Sequence, residues 1–180
     1  MVRATVRPAA VSDAAAIARI YVETWRDAYP GMLPDRVLVG LEPARQARAW
    51  RRTIADPRQH VLVAVAGDKG VAGFGSCGPA RRDLPFSGEI YTLYVASEQQ
   101  RQGIGRLLLD RLLADLIAAG HRSAVVWALA DNPSRFFYEA MGARMAAEGE
   151  EQLWGTSVRQ RAYAWADLAS RLKRHPPQGR

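Results

Sequence analysis

A chain of 180 residues that is 48% apolar has room for one domain with a full core. Its formal charge of +7, with all but two of its 25 basic residues arginine, fits a multiply phosphorylated small molecule as well as it fits nucleic acid, and the dispersal of those arginines favours an ordinary solvated surface. No run reaches the ~20 apolar residues of a membrane span, no apolar secretory segment follows Arg3 and Arg7, the single Cys77 excludes an internal disulfide, and His60, His121 and His175 lie too far apart for a metal site, so a soluble cytoplasmic protein without metal is expected.

Val2 to Arg7 reads as a first strand. Ser12 offers a side-chain oxygen to cap a helix whose apolar positions are Ile17, Ile20, Tyr21, Thr24 and Trp25, and Pro30-Gly31 ends it. A second helical pair follows, its later member opening at Pro43 and stopping at Asp56-Pro57. His60 to Ala66 and Val71 to Gly78 are β-branched or alternating runs around Gly67-Asp68-Lys69-Gly70, the pattern of a hairpin. Ser87 to Val95 is the next strand. A helix from Ile104 to Ala119 puts Ile104, Leu107, Leu108, Leu112 and Leu116 on one face and closes at Gly120. His121 to Leu129 is a further strand, Asn132 to Met141 a short helix, and Ala143 to Glu150 with Thr156 to Trp165 a terminal strand pair around Trp154-Gly155. The single domain is expected over residues 1–168. Residues 169–180, charged and with two prolines, are expected to form a disordered basic tail.

Two apparent motifs fail on context. Gly73-Phe74-Gly75-Ser76-Cys77-Gly78 has the letters of a dinucleotide fingerprint, but that motif must open a helix and find an acidic residue about 20 positions on. Pro79 and Pro85 forbid a helix here. Ser76 lacks the glycine that a nucleophile elbow needs at position 74, and Cys77 has no nearby histidine in sequence, so a packed strand thiol is the better reading.

The segment from Glu89 to Leu109 is different. An apolar strand enters a basic turn punctuated by Gly103 and Gly105 and continues into a leucine-rich helix. Glycines let a ligand approach the main chain, and the amides of residues 101 to 106 are the unpaired donors of a helix start, which together make an anion cradle.

The spacing Gln100-x-x-Gly103-x-Gly105 after a strand resembles the acyl-CoA-binding motif of the GNAT N-acetyltransferase superfamily. A second matching block follows at the expected distance: the strand Ala124 to Leu129, then Asp131-Asn132-Pro133-Ser134-Arg135-Phe136-Phe137-Tyr138-Glu139-Ala140-Met141-Gly142. The resemblance implies an α/β (α+β) three-layer fold, with a mixed and mostly antiparallel sheet flanked by helices and splayed where the cofactor enters. It also implies an N-acetyltransferase that moves the acetyl group of acetyl-CoA directly onto a primary amine of a small molecule or peptide.

Residue by residue, the resemblance implies that Gln100, Arg101, Gln102, Gly103, Ile104, Gly105 and Arg106 hold the cofactor diphosphate and that Leu93, Tyr94 and Val95 pair with the pantetheine arm. Arg135 joins the phosphate side. Asn132 lies at the arm or only caps a helix; its step to Tyr138 is one position shorter than in many relatives. Tyr138 is implied as general acid toward the sulfur. Glu89 stands where the histone-acetylating branch carries its general base, a role that elsewhere passes to water. Trp25, Tyr29 and Trp154, with Glu148, Glu150 and Glu151 nearby, would face the amine. Many relatives are homodimers, and no nucleic-acid or membrane partner is implied. The rival readings are a CoA-binding module without turnover and, further off, a nucleic-acid-binding domain.

Overall fold

The computed structural model describes residues 4–153 and 155–174. Among them, strands β1 (Ala4–Pro8), β2 (His60–Ala66), β3 (Val71–Pro79), β4 (Gly88–Val95), β5 (Ala124–Leu129), β6 (Arg144–Leu153) and β7 (Thr156–Trp165) build one sheet in the order β1-β2-β3-β4-β5-β7-β6. Only β4 and β5 pair in parallel. The helices are α1 (Ala14–Ala28), α2 (Asp35–Val39), α3 (Pro43–Ala55), α4 (Ile104–Ala118), α5 (Ser134–Ala140) and α6 (Leu168–Arg174). The mixed, largely antiparallel sheet with helices on both faces is the fold class that the sequence implies.

Three layers follow from residue periodicity. Strand β2 is buried on both faces, so its alternate residues feed two cores. Val61 and Val63 pack with Ile17, Ile20, Trp50 and Phe74 under α1 and α3, whereas Leu62 and Ala64 pack with the leucines of α4 on the opposite face. In α4 the buried positions Ile104, Leu108, Leu112 and Leu116 recur every four residues, with Leu109 and Leu113 beside them. Burying each such leucine is worth about 1.5–3 kcal/mol, and the stripe fixes α4 against β3.

The letters Gly73-x-Gly75-x-x-Gly78 lie within β3 and reflect close packing. A Cβ on Gly73 would meet the Tyr94 carbonyl oxygen at 2.8 Å, and one on Gly75 would meet Leu112 Cδ1 at 2.6 Å. Cys77 is fully buried, with its Sγ 3.6 Å from the Leu112 carbonyl oxygen, and burial pushes its thiol up to about 12.

Local differences from the expected elements have physical causes. The α1 start is not capped by the Ser12 side chain. A 3₁₀ turn over Val11–Asp13 precedes it, the Asp13 carboxylate accepts the Ala10 amide at 2.8 Å, and Arg7 holds the same carboxylate at 2.7 Å. Strand β5 begins at Ala124 rather than His121, because Gly120 turns the chain at φ +90 and residues 121–123 are spent on the turn. The expected tail is a helix over residues 168–174: Leu168 is fully buried in the α4 core, its amide donates to the Arg122 carbonyl at 3.0 Å, and Arg171 is 2% exposed. Residues 175–180, and the expected Val2 start of β1, lie outside the described residues.

Candidate functional site

The opening in the sheet is set by strand register. β4 and β5 pair only from Gly88↔Ala124 to Ile90↔Val126, and Tyr91 is the extra residue of a bulge against β3, between Thr92↔Ser76 and Ile90↔Cys77. A bulge bends its strand and raises the local twist. Beyond it, β4 turns away from β5, and a cavity of about 690 Å³ fills the gap. Leu93, Tyr94 and Val95 on one strand and Val126, Trp127 and Ala128 on the other line it. Along residues 91–95, β4 has its ladder partner only on the β3 side, so its edge toward the cavity has no strand partner, and the Val95 carbonyl there is taken by Gln100 Nε2.

At one end stands the start of α4. Gly103 takes φ +84, a left-handed conformation that L side chains resist, and Arg101 takes φ +61 in the same turn. The amides of residues 101 to 106 donate to no protein group among the described residues. Gln100 and Gln102 tie the turn to itself, donating from Nε2 to the Val95 carbonyl at 3.2 Å and the Glu98 carbonyl at 3.3 Å. Gly105 faces the Phe137 ring, where a Cβ would sit 3.6 Å away.

At the other end lies Tyr138, 6% exposed and wedged between Tyr163 and Trp165 at centroid distances of 6.5 and 6.3 Å. Its hydroxyl makes no hydrogen bond among the described residues and its side chain lines the cavity. Burial, and secondarily the neighbouring Tyr29 phenol, raises its ionisation well above 10.0, so it is a proton carrier at neutral pH. Asn132 Oδ1 accepts the Ser134 amide at 2.8 Å, the bond that starts α5, while its side chain also lines the cavity and reaches the Tyr29 hydroxyl. Its capping role and its place in the wall therefore coexist.

A second cavity of about 530 Å³ shares Tyr29, Thr92, Tyr94 and Trp127 with the first. Trp25 Nε1 donates to the Tyr94 hydroxyl at 3.0 Å, and the Tyr94 and Tyr29 hydroxyls lie 3.4 Å apart, so a small polar cluster sits between the chambers. Glu89 lines this second cavity but is 2% exposed. Arg81 holds it with its amide at 2.8 Å to Oε2 and with Nη2 at 2.6 Å and Nε at 3.1 Å to Oε1. Arg82 stacks over Trp127 at 4.1 Å and donates to Glu151 at 2.8 Å and Gln160 at 2.7 Å.

The fold therefore brings most of the expected residues together and sends a few elsewhere. Gln100, Arg101, Gly103, Gly105 and Arg106 line the first cavity with Leu93, Tyr94, Val95, Asn132 and Tyr138. The Gln102 side chain is turned back onto its own loop, and that of Ile104 is 2% exposed in the core, so each contributes only a main-chain amide. Arg135 stacks on Phe136 at 4.4 Å and is not in the cavity wall. Trp25 and Glu89 face the second chamber, Tyr29 faces both, and Trp154 lies outside the described residues. Glu148 is held by Arg161 at 2.7 Å and Glu150 by Ser157 at 2.9 Å, away from both chambers. Arg81, Arg82, Tyr91 and Trp127 are site residues that sequence reasoning missed. The signal for Arg81 was a buried strand-end Glu89, which needs a cation in the adjoining loop.

A single-sheet domain opened between parallel strands, with a glycine-shaped amide cradle at one end of the cleft and a buried phenol at the other, defines an acyltransferase of the acyl-CoA-dependent kind. Residues 14–143 match the Acetyltransferase (GNAT) family, and the chain belongs to that family. It is 33% identical over 167 residues to YuaI of Bacillus subtilis (strain 168), described as an uncharacterized N-acetyltransferase, covering 92% of this chain and 95% of that one. The fold is shared with an N-acetyltransferase from Staphylococcus aureus Mu50 (TM-score 0.69, 22% identity, 92% of this chain and 99% of that chain). It is shared as well with YncA from Salmonella typhimurium, solved with its cofactor acetyl-CoA (TM-score 0.67, 23% identity, 92% and 94%).

Proposed function

We propose that the protein acetylates a primary amine of a small molecule or peptide with acetyl-CoA, by direct attack and without an acyl-enzyme. The observation that carries this reading is the run of unpaired amides from 101 to 106 and the unpartnered hydroxyl of Tyr138 facing one cavity. The donor fits that cavity on its own chemistry, because a diphosphate needs convergent N–H donors and the arm of CoA needs an open strand edge, and both are present. The Salmonella relative, described as binding acetyl-CoA, adds support.

Acetyl-CoA supplies an activated acyl thioester and a leaving group that must gain a proton. In this reading the amides of 101 to 106, with Arg101 and Arg106, bind the diphosphate, and the free edge of Leu93 to Val95 aligns the arm and offers an amide to the thioester oxygen. Tyr138 holds a proton for the sulfur, and Asn132 keeps Tyr29 in place beside it. The amine enters through the second chamber past Trp25 and Tyr29. Glu89, fully engaged by Arg81, acts on it only through water.

Two measurements test the reading. Acetyl-CoA should raise the melting temperature of the purified protein, since a ligand at 100 times its Kd adds about 2.7 kcal/mol of stability. A panel of amines with acetyl-CoA should then release free thiol for at least one member. Absence of any thermal shift at millimolar acetyl-CoA would count decisively against the assignment.

A further inference from the structure

Arg106 stands in the first turn of α4, where the helix macrodipole disfavours a cation, yet it lines the cavity that the unpaired amides face. One turn on, Asp110 is 2% exposed, and a lone buried carboxylate is costly. Two guanidinium groups flank it. Arg106 Nε, which makes no hydrogen bond among the described residues, approaches Asp110 Oδ2 at 3.6 Å from the cavity side as a charge contact, and Arg171 Nη2 approaches Oδ1 at 2.5 Å from α6. Arg171 is itself 2% exposed, and its Nε, Nη1 and Nη2 form no aligned hydrogen bond among the described residues, so its contact with Asp110 is one of charge. α6 is held independently by Leu168 in the core and by the Asp167 carboxylate, which accepts the Ser170 amide at 3.0 Å.

We propose that Asp110 is a positioning residue for Arg106, fixed in turn by Arg171, so that the last helix sets how tightly the α4 start grips a polyphosphate. Asp110 engages the inner nitrogen of the Arg106 fork and leaves the two terminal nitrogens for the ligand. Arg171 neutralises the buried carboxylate and keeps it turned toward α4. The inference rests on the reading of the α4 start as the CoA diphosphate site.

The test is calorimetric titration of the full chain with coenzyme A. Arg106→Ala should weaken binding about tenfold, the worth of one hydrogen bond between charged groups. Exchanging the buried pair for apolar residues, Asp110→Leu with Arg171→Leu, should leave the ligand-free melting temperature unchanged or raised. It should nonetheless weaken coenzyme A about fivefold, and adding Arg106→Ala to it should cost less than about twofold more, because sites acting through one another are not additive. Asp110→Asn with Arg171→Met also removes the charge that Arg106 faces, and should weaken coenzyme A by about the same fivefold. If the leucine pair does not fold, Asp110→Ala with Arg171→Met carries the same expectation. Wild-type affinity in the folded apolar pair, or an undiminished Arg106→Ala effect within it, would overturn the proposal while leaving the diphosphate site standing. No binding by the wild-type chain would overturn both.

Discussion

At the level of single side chains, the site depends on a polar group that opens on the cavity from a packed aromatic cluster. Tyr138 is enclosed by three aromatic rings, and its hydroxyl, without a protein partner among the described residues, is left for the cavity rather than sealed in the packing. Tyr138→Phe removes one atom and no packing. It should lower kcat about 100-fold, the lower end of a general-acid contribution, while the Kd for coenzyme A stays within about twofold. Equal loss of binding and rate would instead assign the phenol to cofactor affinity. Cys77 gives the opposite case. Its folded-state ionisation is pushed up to about 12 by burial, so at pH 8 the thiol stays protonated, and alkylation of the native protein should be far slower than of the urea-unfolded chain. Tyr138, Asn132 and the two glycines were legible because their spacing is fixed along a continuous turn and helix. Arg81, Arg82 and Trp127 were not, because the loop after β3 and the distant strand β5 bring them to one wall, and linear order does not encode that register. Ile104 and Arg135 show the limit of spacing alone: a position can lie in the motif while its side chain faces the core or a neighbouring ring.

Among the elements, helical periodicity carried the reading where one face is buried, as in α1 and α4, and the β-branched run with its glycine turn carried it for the doubly buried β2-β3 hairpin. Periodicity failed at α6. Seven residues give too little length for a repeat, and the anchoring residues are Leu168 at the first position and Arg171, a charge that reads as surface until Asp110 is found beneath it. Strand β3 is where context outweighed letters, since its glycines spell a dinucleotide fingerprint that the neighbouring prolines rule out, and they permit close approach to β4 and α4. This predicts a cost. In Gly73→Ala the new methyl would meet the Tyr94 carbonyl oxygen at 2.8 Å and Leu108 Cδ1 at 3.2 Å. Because the first of these is backbone, β4 must shift, and the variant should lose about 1–3 kcal/mol in denaturant unfolding. The same shift would reach Tyr94 and the cavity wall, so coenzyme A affinity should fall along with stability. An alanine variant as stable as the wild type would mean that β4 yields more readily than its pairing on β3 implies.

For the molecule as a whole, opening the sheet leaves a cleft walled largely by aromatic rings, and those rings couple the site to global stability. Tyr21, Tyr29, Tyr94 and Tyr138 all have ionisations raised above 10.0, chiefly by burial, and three of them crowd one another through ring contacts or the Tyr29–Tyr94 hydroxyl pair. A phenol with a folded-state value above its unfolded one favours the native state fully below the unfolded value. That advantage is lost as pH rises from there toward the folded value, because the unfolded chain gives up its proton first. Each such phenol removes about 1.4 kcal/mol per pH unit above pH 10. Four acting together, each up to its own folded-state value, would exhaust a typical stability of about 5–15 kcal/mol within roughly one to three pH units. Phenolate absorbance and loss of helical circular dichroism should therefore rise together in one cooperative step above pH 10, rather than the tyrosines titrating smoothly in a folded protein. Saturating coenzyme A should move that step to higher pH, since it binds the folded cleft alone. Smooth titration near pH 10 with the circular dichroism intact would show that the aromatic wall is open to solvent, and the coupling of these rings to global stability would have to be abandoned.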